Sequence, residues 1–111
     1  MKSKLVRNKI PDIIKASGRT PKTFQIGSDS RLPILGEKAV EESQELYEAI
    51  CNFNGREEIV DEMADLLEVL YQTAEELGIS FSKVQAARHT KAIQRGSFSA
   101  GIMLVGIDES E

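Results

Sequence analysis

Residues 56–77 carry the pattern that restricts this chain most. Ile59, Val60, Met63, Leu66, Leu67, Leu70, Ala74 and Leu77 recur at helical spacing. They cover an arc wider than one neighbouring helix can bury, so this segment is expected to be the most buried helix of a bundle. Glu57, Glu58, Asp61, Glu62 and Asp65 lie in the same stretch. At about 100° per residue, Glu62 falls between Leu66 and Val69, inside the apolar arc. A carboxylate there costs desolvation and mutual repulsion unless a cation sits nearby.

A second amphipathic pattern precedes it. Leu32, Leu35, Ala39, Leu46 and Ile50 share one face over residues 31–50. Pro33 suits only a first turn, which sets the expected start near Leu32. Gly27, Ser28, Asp29 and Ser30 read as a turn, with Asp29 or Ser30 as the cap. Asn52, Phe53, Asn54 and Gly55 read as the helix end. Glu42 lies about 40° from Leu46, at the edge of the apolar face. Glu45 and Glu41 lie further out, and Lys38 falls between Glu42 and Glu45.

The remaining elements are shorter. Residues 7–11 read as an extended lead-in. Pro11 opens a short helix over 11–17 that stops at Gly18. Residues 20–26 read as extended. Gly78 stops the second long helix, and Ser80 caps a third over 81–94, with Phe81, Val84, Ala87 and Ile93 inward. The apolar run from Ile102 to Ile107 reads as a strand or an extended arm, free to pair with residues 22–26 or to dock on another subunit. The whole is a single all-α domain spanning 1–111.

Charge is unevenly placed. The net charge is −4, yet residues 37–76 hold 13 acids and two bases. Lys2, Lys4, Arg7 and Lys9 crowd the start; Lys83, Arg88, Lys91 and Arg95 crowd the third helix. A phosphate ester bridged by metal ions fits both signs, and acidic helices packed on basic segments are the plainer reading. The acidity and few aromatics argue against nucleic acid. No apolar run approaches a membrane span. One cysteine, Cys51, excludes an internal disulfide and fits a cytoplasmic protein.

An antiparallel pairing of the two long helices brings their acids together. Carboxylates at helical spacing suit Mg²⁺, or Mn²⁺, which take oxygen ligands and bind substrate phosphates. The plainer alternative is a solvated acidic face, since glutamate is a good helix former and acids favour a helix start. The lone His89 reads as a surface residue, and Tyr47 and Tyr71 as packing residues.

Glu41-Glu42-x-x-Glu45, followed after 16 residues by Glu62-x-x-Asp65, resembles the signature of the all-α nucleoside triphosphate pyrophosphatase (MazG-like) superfamily. The opening Leu5–Ile14 and the closing Lys91–Phe98 are similar to its small house-cleaning, or phosphoribosyl-ATP pyrophosphohydrolase-like, branch. The resemblance implies a helical bundle completed by oligomerisation, as a homodimer or homotetramer. It implies magnesium-dependent cleavage between the α and β phosphates of a nucleoside triphosphate. Carried over by position, Glu42, Glu45, Glu62 and Asp65 become metal ligands. Glu41 becomes a ligand or the water-activating group, so Glu41 and Glu42 are the catalytic candidates. Lys38, Lys91 and Arg95 become phosphate-facing, and Arg7, Asn8 and Lys9 fold over the nucleotide. Glu58-x-x-Asp61 is a second match in the same helix, but its Asp61 lies about 100° from Glu62 and away from the core edge, so Glu62 and Asp65 are preferred and Glu58 is a candidate outer ligand. Two rivals remain: phosphoribosyl-ATP hydrolysis in histidine synthesis, and a non-catalytic nucleotide-binding or interaction module.

Overall fold

A computed structural model describes residues 2–53 and 55–108. These residues form four helices and no strand: α1 (Ile10–Ala16), α2 (Ser28–Asn52), α3 (Arg56–Glu76) and α4 (Phe81–Arg95). The fold is all-α, as the periodicity requires. The chain through Ile79, with α1 to α3, makes one compact unit, and the chain from Ser80 onward, with α4, makes a second. Among the described residues, no helix is long and apolar enough to cross a membrane.

Helices α2 and α3 pack together and run antiparallel. Arg31, near the start of α2, donates from Nε and Nη2 to Glu76 Oε1, near the end of α3, at 2.8 and 2.7 Å. Leu35 and Ala49 of α2 and Val69 and Ala74 of α3 are the buried apolar residues between them. Among the described residues, no side chain is completely enclosed. Val40 and Tyr47 of α2 stay exposed, as do Val60, Met63, Leu67 and Leu70 of α3. The broad apolar arc of α3 is thus only partly covered by its neighbour.

The glycine stops are local chemistry. After α1, Arg19 N–H donates to the Ile14 carbonyl and Gly18 N–H to the Lys15 carbonyl. After α3, Ile79 N–H and Gly78 N–H bond the Ala74 and Glu75 carbonyls in the same way. This double closure needs a left-handed residue, supplied by Gly18 at φ 88° and Gly78 at φ 67°. Phe53 ends α2 at φ 45°, an unfavourable conformation for an L side chain. Asn54, part of the expected helix end, lies outside the described residues.

Three expectations need correction. Helix α2 starts at Ser28, a turn before Leu32, with Gly27 in the capping position and Ser30 N–H on the Gly27 carbonyl. Ser28, Asp29 and Ser30 are therefore helical rather than a turn, and Pro33 lies inside the helix. An interior proline lacks the N–H that position i−4 would accept, a loss the longer helix absorbs. Ser80 does stand at the start of α4, but its hydroxyl bonds the Ser82 hydroxyl at 2.7 Å and not the helix backbone. Val84 and Ile93 of α4 are exposed; periodicity marks a face that can be buried, not one that a single chain buries. Residues 102–107 take the second of their two expected forms, an exposed, irregular arm rather than a strand.

Candidate metal centre

The acid set is built where α2 and α3 face one another. On α2, one helical turn separates Lys38 from Glu42, so the two side chains share a face. Lys38 Nζ lies 3.2 Å from Glu41 Oε1 and 3.3 Å from Glu42 Oε1. Glu42 is buried, at 7% exposure, among the α2 residues that line the helix contact. Its second oxygen, Oε2, is enclosed and has no hydrogen-bond partner.

Helix α3 supplies the other half. Glu62 is half-buried, and its Oε2 is likewise enclosed without a partner. Asp65 follows one turn later on the same side. One carboxylate oxygen from each of Glu42, Glu62 and Asp65 lies within 4.8 Å of the others. Three carboxylates at that spacing repel unless a proton or a cation joins them.

Arg7 reaches this group from the lead-in. Its Nη2 donates to Asp65 Oδ1 at 2.8 Å, and Nη1 stands 3.9 Å from Glu68 Oε1. A turn holds its backbone against the start of α1, with Ile10 N–H on the Arg7 carbonyl at 3.1 Å. A residue 58 positions away in sequence is thereby tied to the acidic group.

The electrostatics follow from this crowding. The Glu45 carboxyl is pushed up to about 7, first because the adjacent Glu42 carboxylate favours a proton held between the two. Burial and the charges of Glu42, Glu62 and Glu41 add to that rise. Glu62 is also raised, by burial first and then by Asp65, Glu42, Glu58 and Asp61. Burial of Lys38 favours its neutral form, but hydrogen bonds and attraction from Glu41 and Glu42 outweigh it, and its pKa rises.

The structure therefore gathers Glu42, Glu62 and Asp65 into one group. Glu45 stands beside it, coupled through Glu42, and Glu41 turns to Lys38. Lys38 is a counter-ion of the acids themselves. Asn8 and Lys9 form the exposed turn after Arg7. Lys91 and Arg95 are exposed and one turn apart on α4. Glu68 was missed by the motif; its place one turn after Asp65 was the available signal.

The donor set is entirely carboxylate oxygen, the preference of hard divalent cations. Two enclosed oxygens without partners are costly as ionised groups unless a cation or proton meets them. The residues thus fit a divalent ion, and the cluster can hold one.

An all-α helix pair that gathers three carboxylates able to hold a cation is compatible with a metal-dependent hydrolase. The family model for phosphoribosyl-ATP pyrophosphohydrolase matches residues 13–92, across both acid-bearing helices. The chain belongs to that family, within the MazG-like all-α nucleoside triphosphate pyrophosphatase superfamily. Its class of activity is pyrophosphohydrolysis of a nucleotide, a cleavage of a phosphoric anhydride. No curated protein and no solved structure matches the chain.

Proposed function

We propose that this protein is a magnesium-dependent nucleoside triphosphate pyrophosphohydrolase. It cleaves between the α and β phosphates and releases a nucleoside monophosphate and pyrophosphate, in a house-cleaning role on the nucleotide pool. The observation that carries the reading is the pair of enclosed, unpartnered oxygens, Glu42 Oε2 and Glu62 Oε2, on facing helices.

Glu42, Glu62 and Asp65, with Glu45 beside them, are the ligands of this reading, and Mn²⁺ is an alternative ion. When bound, the ion supplies Lewis-acid polarisation of phosphoryl oxygens and a lowered pKa for water. The chain's own side chains do the rest. Glu41 or Glu42 accepts the proton of the attacking water. The oxygen of that water forms a bond to one phosphorus of the α–β anhydride, and the bridging P–O bond breaks. Lys38 fixes the two candidate bases through contacts of 3.2 and 3.3 Å. Arg7 and Lys9 offer charge, and Asn8 hydrogen bonds, to phosphate oxygens, and Lys91 and Arg95 of α4 are the further phosphate-facing candidates that the resemblance implies.

Leu5–Asp12 and Ile93–Phe98, which resemble the small house-cleaning, or phosphoribosyl-ATP pyrophosphohydrolase-like, branch, lie outside the residues matched by the family model and do not separate the two substrates. Phosphoribosyl-ATP is the second reading, favoured by the description of that family. The anhydride chemistry is the same in both. The family match runs through Ile79 and Ser80 into α4, which supports one functional domain.

We also infer a homodimer or homotetramer. The exposed Val40, Tyr47, Val60, Met63, Leu67 and Leu70 make a thin-cored helix pair that a second copy can cover. Light scattering giving a single-chain mass at micromolar concentration would remove this inference.

Pyrophosphate release from a panel of normal and modified nucleoside triphosphates, run beside phosphoribosyl-ATP, tests the substrate class. Preferential turnover of a triphosphate supports the first reading. Preferential turnover of phosphoribosyl-ATP, with growth of a histidine auxotroph, supports the second.

A further inference from the structure

A long-range ion pair of the lead-in ends on a member of the acidic group. Arg7 Nη2 donates to Asp65 Oδ1 at 2.8 Å, while Nη1 reaches toward Glu68 at 3.9 Å. Arg7 is 55% exposed and Asp65 42% exposed, so the pair sits at the mouth of the group. The Arg7 backbone is held in a turn before α1. Residue 7 lies outside the residues matched by the family model.

Charge decides what such a contact does. Without a divalent ion, Arg7 is the cation on Asp65, as Lys38 is the cation on Glu42. The two differ in burial: Lys38 is 17% exposed and held by two acids, Arg7 half-exposed and held mainly by one. A divalent charge beside Asp65 offsets much of the negative charge that holds Arg7 and weakens the pair. An exposed single-oxygen pair is worth only about 1 kcal/mol or less, so Arg7 is the contact that yields. Its guanidinium is suited to bind phosphate oxygens in a fork.

We propose that Arg7 is an exchangeable counter-ion: it holds Asp65 until a divalent cation loads, then transfers to the phosphates of the incoming nucleotide. Arg7 is thus a positioning residue that couples loading of the ion to capture of the substrate. The proposal rests on the metal-site reading above.

Calorimetric titration of Mg²⁺ into wild type and Arg7→Ala, without nucleotide, is the test. Loss of the competing cation tightens Mg²⁺ binding roughly two- to fivefold, the fold-change of an exposed pair of that strength. Affinity for a non-hydrolysable triphosphate analogue, measured with Mg²⁺ saturating, falls in the same variant. In wild type, amide exchange of residues 5–10 speeds up on adding Mg²⁺ and slows again with the analogue. Arg7→Lys keeps the competition with Mg²⁺ and part of the analogue affinity. Unchanged or weaker Mg²⁺ binding in Arg7→Ala overturns the proposal, because Arg7 would then support Asp65 rather than compete for it. Absence of Mg²⁺ binding in wild type overturns the metal-site reading itself. The two failures are therefore distinct.

Discussion

Glu42 and Glu62 meet across the α2–α3 contact with carboxylate oxygens within 4.8 Å, and each keeps one enclosed oxygen with no hydrogen-bond partner. Helix packing alone gives no reason for this arrangement. Apolar residues at both positions would bury more favourably than two like charges. The pair has a reason if a cation completes it, and the consequences can be measured separately.

Replacing Glu62 by glutamine removes one like charge and keeps the side chain's shape. Helix content by circular dichroism should be unchanged, and the melting temperature in chelator should be equal or higher. Mg²⁺ should no longer raise that melting temperature, whereas it does in wild type by mass action on the folded state. A variant that still gains stability from Mg²⁺ as wild type does places the ion elsewhere.

Lys38 is the internal cation of the group, 3.2 Å from Glu41 and 3.3 Å from Glu42. Lys38→Met leaves Glu42 enclosed without that partner and should cost about 1–3 kcal/mol in urea denaturation under chelation. Added Mg²⁺ should restore part of the loss. Equal midpoints for variant and wild type in chelator show that the contact contributes nothing.

The raised Glu45 carboxyl fixes the sign of a pH effect in the metal-free protein. It binds its proton more tightly folded, at about 7, than at its ordinary value near 4.5. The folded state therefore holds the extra proton between those values, and stability falls as pH rises through that window. Chemical denaturation in chelator should show this fall between about pH 4.5 and 7, and Glu45→Gln should flatten it. A stability that rises across the window in wild type and is unaltered by Glu45→Gln contradicts the geometry.

The far end of the helix pair is closed by Arg31 and Glu76, joined at 2.7 and 2.8 Å. Arg31→Ala should lower the melting temperature slightly. The exchange Arg31→Glu with Glu76→Arg should recover more than either single change does. Strict additivity of the two single changes means that the pair is not coupled in solution.

The parts of this structure that were legible in the sequence are those governed by helical period. Glu42 and Glu62 stood out because carboxylates border an apolar stripe at known angles, and Gly18 and Gly78 because the left-handed closure has a residue preference. The early start of α2 was hidden: a proline rule places Pro33 in a first turn, while backbone bonding at Gly27 sets the real start. The Arg7–Asp65 contact was hidden for another reason. Fifty-eight residues separate the partners, and no periodicity reports a meeting between a loop and a helix. Burial of α4 was overstated, because an apolar spacing does not say what covers it.

Pyrophosphate release by wild type and Glu62→Gln, each with Mg²⁺ and with chelator, tests the central claim most directly. The account predicts release by wild type only when Mg²⁺ is present, and at least a hundredfold loss, on the order of 3 kcal/mol, in the variant. Release that persists in chelator, or a variant that turns over as wild type does, would contradict it.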